Sequence, residues 1–417
     1  MTIHDAVIVG GGPAGSTCAR FLRRGGARVA VVDRAEFPRV KLCAGWLSAP
    51  IWDALELSPR DYPGGLWEWR NCHVRFRGVD RAIACRGWFI RRFELDDFLL
   101  RASGAELHLG KAWSRLTIER GADGMWQVGD LRARHLIGAG GTHCPVARLL
   151  APPRPRGPVG VQEHEFQADP AAVARTRVGA DGEPELYLHD DLRGYSWNVP
   201  KTGWLNVGSG TVDPTEVRAA WRAARSHFRG AGHLPDDVDP ALDAVKGHSY
   251  YLFDPAHLDG AARVDGPGGA YLVGDSLGLA QPLTAEGILP AVVSGRLAAE
   301  AILAGQPAGY PERLRRHPTM IEYRRIHRLR EAGAALGSKN GHKDGNKPDH
   351  KEVHSGGSGE NGARAPRGGS AARIGRRAVA AGFAWMFSGA PLPAPRLIDL
   401  ALRGAERWLG ASDQNGR

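Results

Sequence analysis

Cysteine is scarce in this sequence, with Cys18, Cys43, Cys72, Cys85 and Cys144 the only examples in 417 residues. No two are spaced C-x-x-C and their number is odd, which excludes a zinc ribbon and a disulfide framework and leaves reduced thiols as the expectation. Long apolar runs are missing as well. Nothing approaches the ~20 residues that cross a bilayer, so no spanning helix is expected. A strand pattern begins within the first five residues, leaving no room for a charged region, an apolar segment and a cleavage site. A cytoplasmic protein is expected. No metal site is expected either: His342, His350 and His354 fall in a Gly/Ser/Asn/Lys-rich tract without fixed geometry or acidic partners, which reads as solvated.

The net charge of +10 is unevenly placed. Residues 1–305 hold 35 Lys and Arg against 35 Asp and Glu, whereas residues 306–417 hold 20 against 10. The basic surface therefore belongs to the C-terminal part. No nucleic-acid motif accompanies it, so nucleic acid is not expected as a partner.

The chain is organised around residues 1–34. Asp5 to Val9 is a short apolar run of strand composition, and Gly10-Gly11-Gly12-Pro13-Ala14-Gly15 follows at once as G-x-G-x-x-G. Gly10 permits the tight turn, Gly12 lets backbone approach a pyrophosphate, and Gly15 lets the next helix pack on the strand. The helix N-terminus adds free N–H groups and partial positive charge. That helix is expected to run to Arg24 and stop at Gly25-Gly26, with a second strand, Ala27 to Val32, delivering Asp33. A carboxylate there grips a ribose 2′-hydroxyl and disfavours a 2′-phosphate. Together these features predict a Rossmann-type dinucleotide site.

The next segment reads Arg34-Ala35-Glu36-Phe37-Pro38-Arg39-Val40-Lys41-Leu42-Cys43-Ala44-Gly45-Trp46-Leu47-Ser48. It resembles the D-R/K-x-x-F-P-R-x-K-x-C-G-G-x-L-S segment of the geranylgeranyl reductase family of FAD-dependent oxidoreductases, departing from it at Ala44 and Trp46 around Gly45. The resemblance implies FAD, with Arg34, Lys41, Cys43 and Gly45 beside the flavin. It extends to Arg92 ahead of Leu95-Asp96, where the family's arginine lies near the flavin; the alternative is a surface arginine capping a structural helix. Gly138-Ala139-Gly140-Gly141-Thr142-His143-Cys144 stands where the family carries G-A-D-G-x-x-S, with Gly140 replacing the acid and Cys144 the serine. His143 next to Cys144 reads as a neighbour of a packed, inert cysteine rather than as the base of a nucleophile.

Two further stretches carry the likeness. Gly194-Tyr195-Ser196-Trp197-Asn198-Val199-Pro200 with Asn206-Val207-Gly208 resembles the family's Y-x-W-x-F-P…N-V-G. Period two puts Tyr195, Trp197 and Val199 on one face, where the aromatics either line an apolar substrate cavity or fill an ordinary core. Flavin halogenases carry a related W-x-W-x-I-P, from which Tyr195 differs. Ala270 to Ile288 resembles G-D-A-A-G-x-x-x-P-x-x-G-E-G-I, with Ala285 replacing one glycine. It implies flavin contacts from Gly274, Asp275, Pro282, Gly287 and Ile288, the last two at a helix N-terminus that favours negative charge on the ring.

The predicted fold class is α/β: a Rossmann-type FAD-binding domain (1–65, 87–150 and 266–305) interleaved with an antiparallel β-sheet substrate domain (66–86 and 151–265), followed by a basic C-terminal helical region. Short strands are expected on either side of Gly78, and Ala105 to Val128 reads as a small meander. In the helical region, 313–330 reads as one basic helix with Met320, Tyr323, His327 and Leu329 on an apolar side. Residues 337–370, where Val353 is the only large aliphatic residue, read as a disordered insert. Helical segments at 374–387 and 395–409 suit either a cap on the body or the surface of a bilayer at the inner face of a membrane. No second G-x-G-x-x-G follows, so a separate NAD(P)-binding domain is not expected.

The function implied is reduction of C=C bonds in a prenyl-type or other apolar substrate by hydride from reduced FAD, with NAD(P)H or a reduced ferredoxin-type protein as electron donor. Cys43 stands either as proton donor or as packing beside the ring, and Tyr195 and Trp197 as substrate contacts. The alternatives are an O₂-using monooxygenase or halogenase and a flavin-binding protein without turnover.

Overall fold

The computed structural model describes residues 2–340 except 113–115, 151–153, 155, 175–182, 202, 235–244 and 265–267, with backbone alone at 83, 85 and 332–340. Residues 341–370 of the insert, its three histidines and the segments 374–387 and 395–409 lie outside the described residues.

Strand β1 covers Ile3–Val9, helix α1 Pro13–Arg24 and strand β2 Val29–Val32. They are followed by β3 (Trp46–Ser48), α2 (Pro50–Leu55), β4 (Trp67–Phe76), β5 (Val79–Phe89) and α3 (Arg92–Arg101). Four strands come next, β6 (Glu106–His108), β7 (Ile118–Arg120), β8 (Trp126–Val128) and β9 (Leu131–Gly138), then α4 (Pro145–Leu150). The chain continues through β10 (Val159–Gln167), α5 (Pro170–Ala174), β11 (Glu185–Leu188), β12 (Gly194–Lys201), β13 (Trp204–Thr211), α6 (Val217–Gly230) and β14 (Lys246–Tyr250). Strands β15 (Ala262–Val264) and β16 (Gly269–Leu272) lead to α7 (Ile288–Leu303), α8 (Tyr310–Arg316) and α9 (Pro318–Asn340).

The first sheet has the order β15-β16-β9-β1-β2-β6, with β7 and β8 attached as an antiparallel ribbon on β9. Its centre is parallel, and Ala6 to Val9 are wholly buried, as the unbroken apolar run of β1 requires of a strand covered on both faces. Helices α1 and α7 cross so closely that a Cβ on Gly295 would lie 2.2 Å from the Ala14 carbonyl oxygen. The second sheet has the order β14-β10-β13-β12-β11-β4-β5-β3 and is antiparallel except where β11 runs beside β4. A mixed α/β protein with a Rossmann-type sheet, a second sheet and C-terminal helices results.

Several local expectations change. The strands around Gly78 are long, of 10 and 11 residues, with Arg70, Arg81 and Arg86 exposed and Trp69, Val74 and Phe76 buried. Trp46–Ser48, assigned from the sequence to the dinucleotide domain, pairs with β5 in the second sheet, so this part of 1–65 crosses between the two. Helix α6 begins at Val217 instead of Asp213, since the Asp213 carboxylate caps a turn by accepting from the Thr215 N–H and hydroxyl. The basic stretch 313–330 is two helices. Pro318 holds His317 at an extended ψ of 134°, as a residue before proline prefers. The buried stripe of α9 is Met320, Tyr323 and Ile326, while His327 and Leu329 are half-buried. The same helix continues through 337–340, the first residues of the insert.

Candidate active site

A cavity of about 490 Å³ is lined from both sheets. At one end lies the glycine turn. Gly10 holds φ at +117°, and a Cβ there would sit 2.4 Å from the Ala139 oxygen, so the turn accepts only glycine. Gly15 is equally tight against Gly10, whereas a Cβ on Gly12 would meet nothing nearer than the Arg39 guanidinium at 3.6 Å. Gly10 and Gly15 shape the turn, and Gly12, Pro13 and Ala14 line the cavity. Asp33 anchors this arrangement by accepting from the Gly11 N–H at 2.7 Å and the Ala35 N–H at 2.9 Å. Each carboxylate oxygen has a second lone pair left for a hydroxyl.

Cations gather on the next wall, where Arg34, Arg39, Lys41 and Arg92 all line the cavity. Arg92 opens α3 and grips buried Asp96 bidentately, at 2.6 and 2.7 Å. Burial disfavours its charge, but Asp96 and the Cys43 sulfur outweigh burial and hold its pKa above the ordinary value. It is a cavity residue, not a surface cap. Arg39 shares Asp96 at 3.1 Å and keeps its buried Nη1 without a hydrogen-bond partner among the described residues. Burial lowers the pKa of Lys41, with Arg92 adding to the effect and Asp275 opposing it.

Cys43 lines the middle of the cavity and its sulfur accepts from the Gly45 N–H at 3.3 Å. Gly45 lies behind this loop at a φ of +74°, where a Cβ would strike the Ile90 carbonyl oxygen at 1.9 Å; this is why one glycine of the pair is retained. Trp46 turns its ring into an aromatic cluster, 4.3 Å from Trp69 and 5.2 Å from Phe89 between centroids. Tyr195, Trp197 and Val199 all face the cavity from β12, as period two places them. The Tyr195 hydroxyl donates to the Thr284 carbonyl at 2.5 Å and the Trp197 Nε1 to Asn206 Oδ1 at 2.7 Å.

The third wall is the 274–288 loop. Asp275 lines the cavity, and burial pushes its pKa up against the pull of Lys41, Arg92 and Arg154. Gly287 and Ile288 bring the N-terminus of α7 to the same space. Glu286 accepts from the Ser48 hydroxyl at 2.7 Å, yet burial raises its pKa to about 7. Ala285, at the family's glycine position, keeps a left-handed φ of +59°. Gly274 and Pro282 are not among the lining residues. Gly274 packs against Ala14 and donates its N–H to Ser294, and the Pro282 carbonyl accepts from Arg330. Cys144 is fully buried, its pKa raised by that burial, and His143 is exposed.

Residues 8–40 match the family model of an NAD(P)-binding Rossmann-like domain. A geranylgeranyl diphosphate reductase of Rhodobacter capsulatus is 27% identical over 329 residues, 75% of this chain and 78% of that one. Menaquinone reductase of Mycobacterium tuberculosis is 30% identical over 335 residues, 72% of this chain and 76% of its own length. The chain belongs to the geranylgeranyl reductase family of FAD-dependent oxidoreductases. Its fold agrees: a geranylgeranyl bacteriochlorophyll reductase-like protein from Thermoplasma acidophilum matches with a TM-score of 0.55 at 21% identity, over 79% of this chain and 84% of that one.

The residues present fit the FAD of this family. Open backbone at Gly12, the N-terminus of α1 and the Arg39 Nη1, unpartnered among the described residues, suit a pyrophosphate, Asp33 a ribose, Asp275 hydroxyls, and the N-terminus of α7 the electron-rich edge of a ring. Bound there, FAD supplies two-electron hydride chemistry. Sequence reasoning missed Glu163, His248 and Tyr250, and gave Asn206 no role beyond its place in a motif. Glu163 is 2% exposed and lines the cavity from β10. Its signal was a carboxylate in the inward row Val159, Val161, Glu163. His248 and Tyr250 come from β14, with His248 pushed by burial to a pKa of about 3 and so neutral.

Proposed function

We propose that the chain reduces C=C bonds of an apolar, isoprenoid-bearing substrate with hydride from FAD, the flavin being recharged by NAD(P)H or a reduced ferredoxin-type protein. One observation carries this reading: a single cavity runs from the glycine turn and Asp33, past Cys43, to the wall of Trp46, Tyr195 and Trp197. An apolar chain held against that wall lies beside the flavin end of the space, where desolvation favours binding. The relatives support it, since one is named for geranylgeranyl diphosphate and the other for menaquinone, compounds that both carry isoprenoid chains. The proton that completes the reduction comes from a side chain of the same wall, which Cys43 and Glu163 both line.

The test is anaerobic. Dithionite-reduced, FAD-loaded protein is mixed with geranylgeranyl diphosphate or with menaquinone, and flavin absorbance is followed. Reoxidation with a saturated product is expected. No reoxidation by either, together with oxygenated product only when O₂ is admitted, overturns the reading in favour of a monooxygenase. Substrate delivery is proposed at a membrane surface, supported by the exposed face of α9, where Ile321, Arg325 and Arg328 fall at i, i+4 and i+7. Cosedimentation with anionic vesicles should fall in a Arg325→Glu/Arg328→Glu variant.

A further inference from the structure

Across β10, β13 and β12 three residues stand in one row: Glu163 pairs with Gly208, and Gly208 pairs with Trp197. The central position carries no side chain, and it has room for none. A Cβ on Gly208 would lie 2.1 Å from the Trp197 ring and 2.9 Å from the Glu163 Cβ. The indole and the carboxyl therefore flank a bare stretch of backbone on the same cavity wall. Glu163 Oε2 is buried without a hydrogen-bond partner among the described residues, an arrangement that favours a carboxylic acid over a carboxylate.

Its neighbours come from every side. Lys41 and the backbone N–H of Cys43 belong to the loop, Glu165 to the same strand and Lys201 to the end of β12. Tyr195 faces it from β12, and Tyr250 and its register partner Lys246 from β14. Lys201 is engaged at 2.5 Å by Glu165, which also takes Arg91. Burial outweighs the two lysines and raises the pKa of Glu163 to about 7, whereas both phenols are shifted upward, out of the neutral range. Cys43 is placed differently. Its sulfur accepts the Gly45 N–H and lies against the Arg92 guanidinium.

We propose that Glu163 is the catalytic acid of the reduction, delivering its carboxyl proton to the substrate lying against Trp197. This rests on the C=C-reductase reading above. One alkene carbon takes a hydride from dihydroflavin, which is oxidised by two electrons. The other carbon takes H⁺ as the Glu163 O–H bond breaks, the electron pair staying on the carboxylate, and water restores the proton afterwards. The alkene gains both hydrogens and two electrons.

The test compares wild type with Glu163→Gln and Cys43→Ser in anaerobic single turnover, using geranylgeranyl diphosphate and FAD-loaded protein. Glu163→Gln should keep FAD and probe binding and lose ~10²-fold or more in flavin oxidation rate, while the wild-type rate falls as pH rises through about 7. The second readout is infrared: FAD-loaded wild type should show one more protonated carboxyl titrating in that range than Glu163→Gln, over the bands that Glu286 and Glu322 contribute to both. Wild-type oxidation rates in Glu163→Gln, or loss confined to Cys43→Ser, overturn the proposal while leaving the reductase reading intact. Should the glutamine variant not fold, absence of any titrating carboxyl band from wild type overturns it equally. A wild type that no alkene reoxidises defeats the reductase reading itself, and the assignment of this acid with it.

Discussion

The Trp197 indole N–H is held by Asn206, whose Oδ1 accepts it at 2.7 Å while its Nδ2 donates to the Cys43 carbonyl at 3.3 Å. One buried amide thus joins the aromatic wall to the cysteine loop, although the three residues come from two neighbouring strands and a segment more than a hundred residues earlier. Both partners of the amide are backbone or ring groups.

Asn206→Ala should therefore lower stability by ~1–3 kcal/mol, the cost of leaving a buried donor and acceptor unmet. Urea unfolding of the purified protein measures this. A change within ~0.5 kcal/mol would mean that the loop and the indole are held by other contacts.

Ala285 carries a left-handed φ of +59° on a residue with a Cβ. That conformation costs a non-glycine residue ~1–2 kcal/mol, partly offset by the lower entropy of alanine in the unfolded chain. Ala285→Gly is expected to be neutral or to stabilise by up to ~1 kcal/mol, read as a rise in the urea midpoint.

Asp275 is expected to separate cofactor retention from stability. Without FAD its carboxylate is buried and its pKa raised, so Asp275→Ala should leave the apoprotein at least as stable as wild type. FAD retention should fall by ~1.5–3 kcal/mol, the worth of a charged hydrogen bond, or roughly 10- to 150-fold in Kd. Equilibrium dialysis against FAD checks the second, thermal unfolding of the apoprotein the first.

Glu163 and Glu286 also set a pH dependence. Both are raised to about 7 by burial, from roughly 4.3 in the unfolded chain. The folded state binds more protons, so their contribution is fully present below the unfolded pKa and is lost as pH rises through about 7. Glu322, raised to about 7 for the same reason, acts in the same direction. Buried histidines such as His248 act in the opposite direction below about 6.5, so the effect is read as a difference: between about pH 5 and about pH 8 the urea midpoint of apo Glu286→Gln, whose amide has no charge to bury, should rise relative to that of wild type.

Sequence by itself determined the dinucleotide half of this protein. The turn Gly10 to Gly15, the helix behind it and Asp33 lie close together in the chain, and each obeys a local rule of backbone geometry or hydrogen bonding. The inward row Tyr195, Trp197 and Val199 followed from period two alone. Tertiary structure decided the rest of the cavity. That Trp46 joins the second sheet depends on its pairing with Phe89, and that Arg92 is buried depends on the loop carrying Arg39 and Cys43 folding over it. Glu163 and Asn206 acquire their roles only from the register of β10, β13 and β12, which sets Glu163 and Trp197 on either side of Gly208 and Asn206 within reach of both the indole and the cysteine loop. Register is a property of paired strands, since shifting one by a single residue turns every side chain to the other face, and so a carboxylate in an apolar row becomes a candidate acid only once its neighbours across the sheet are in place.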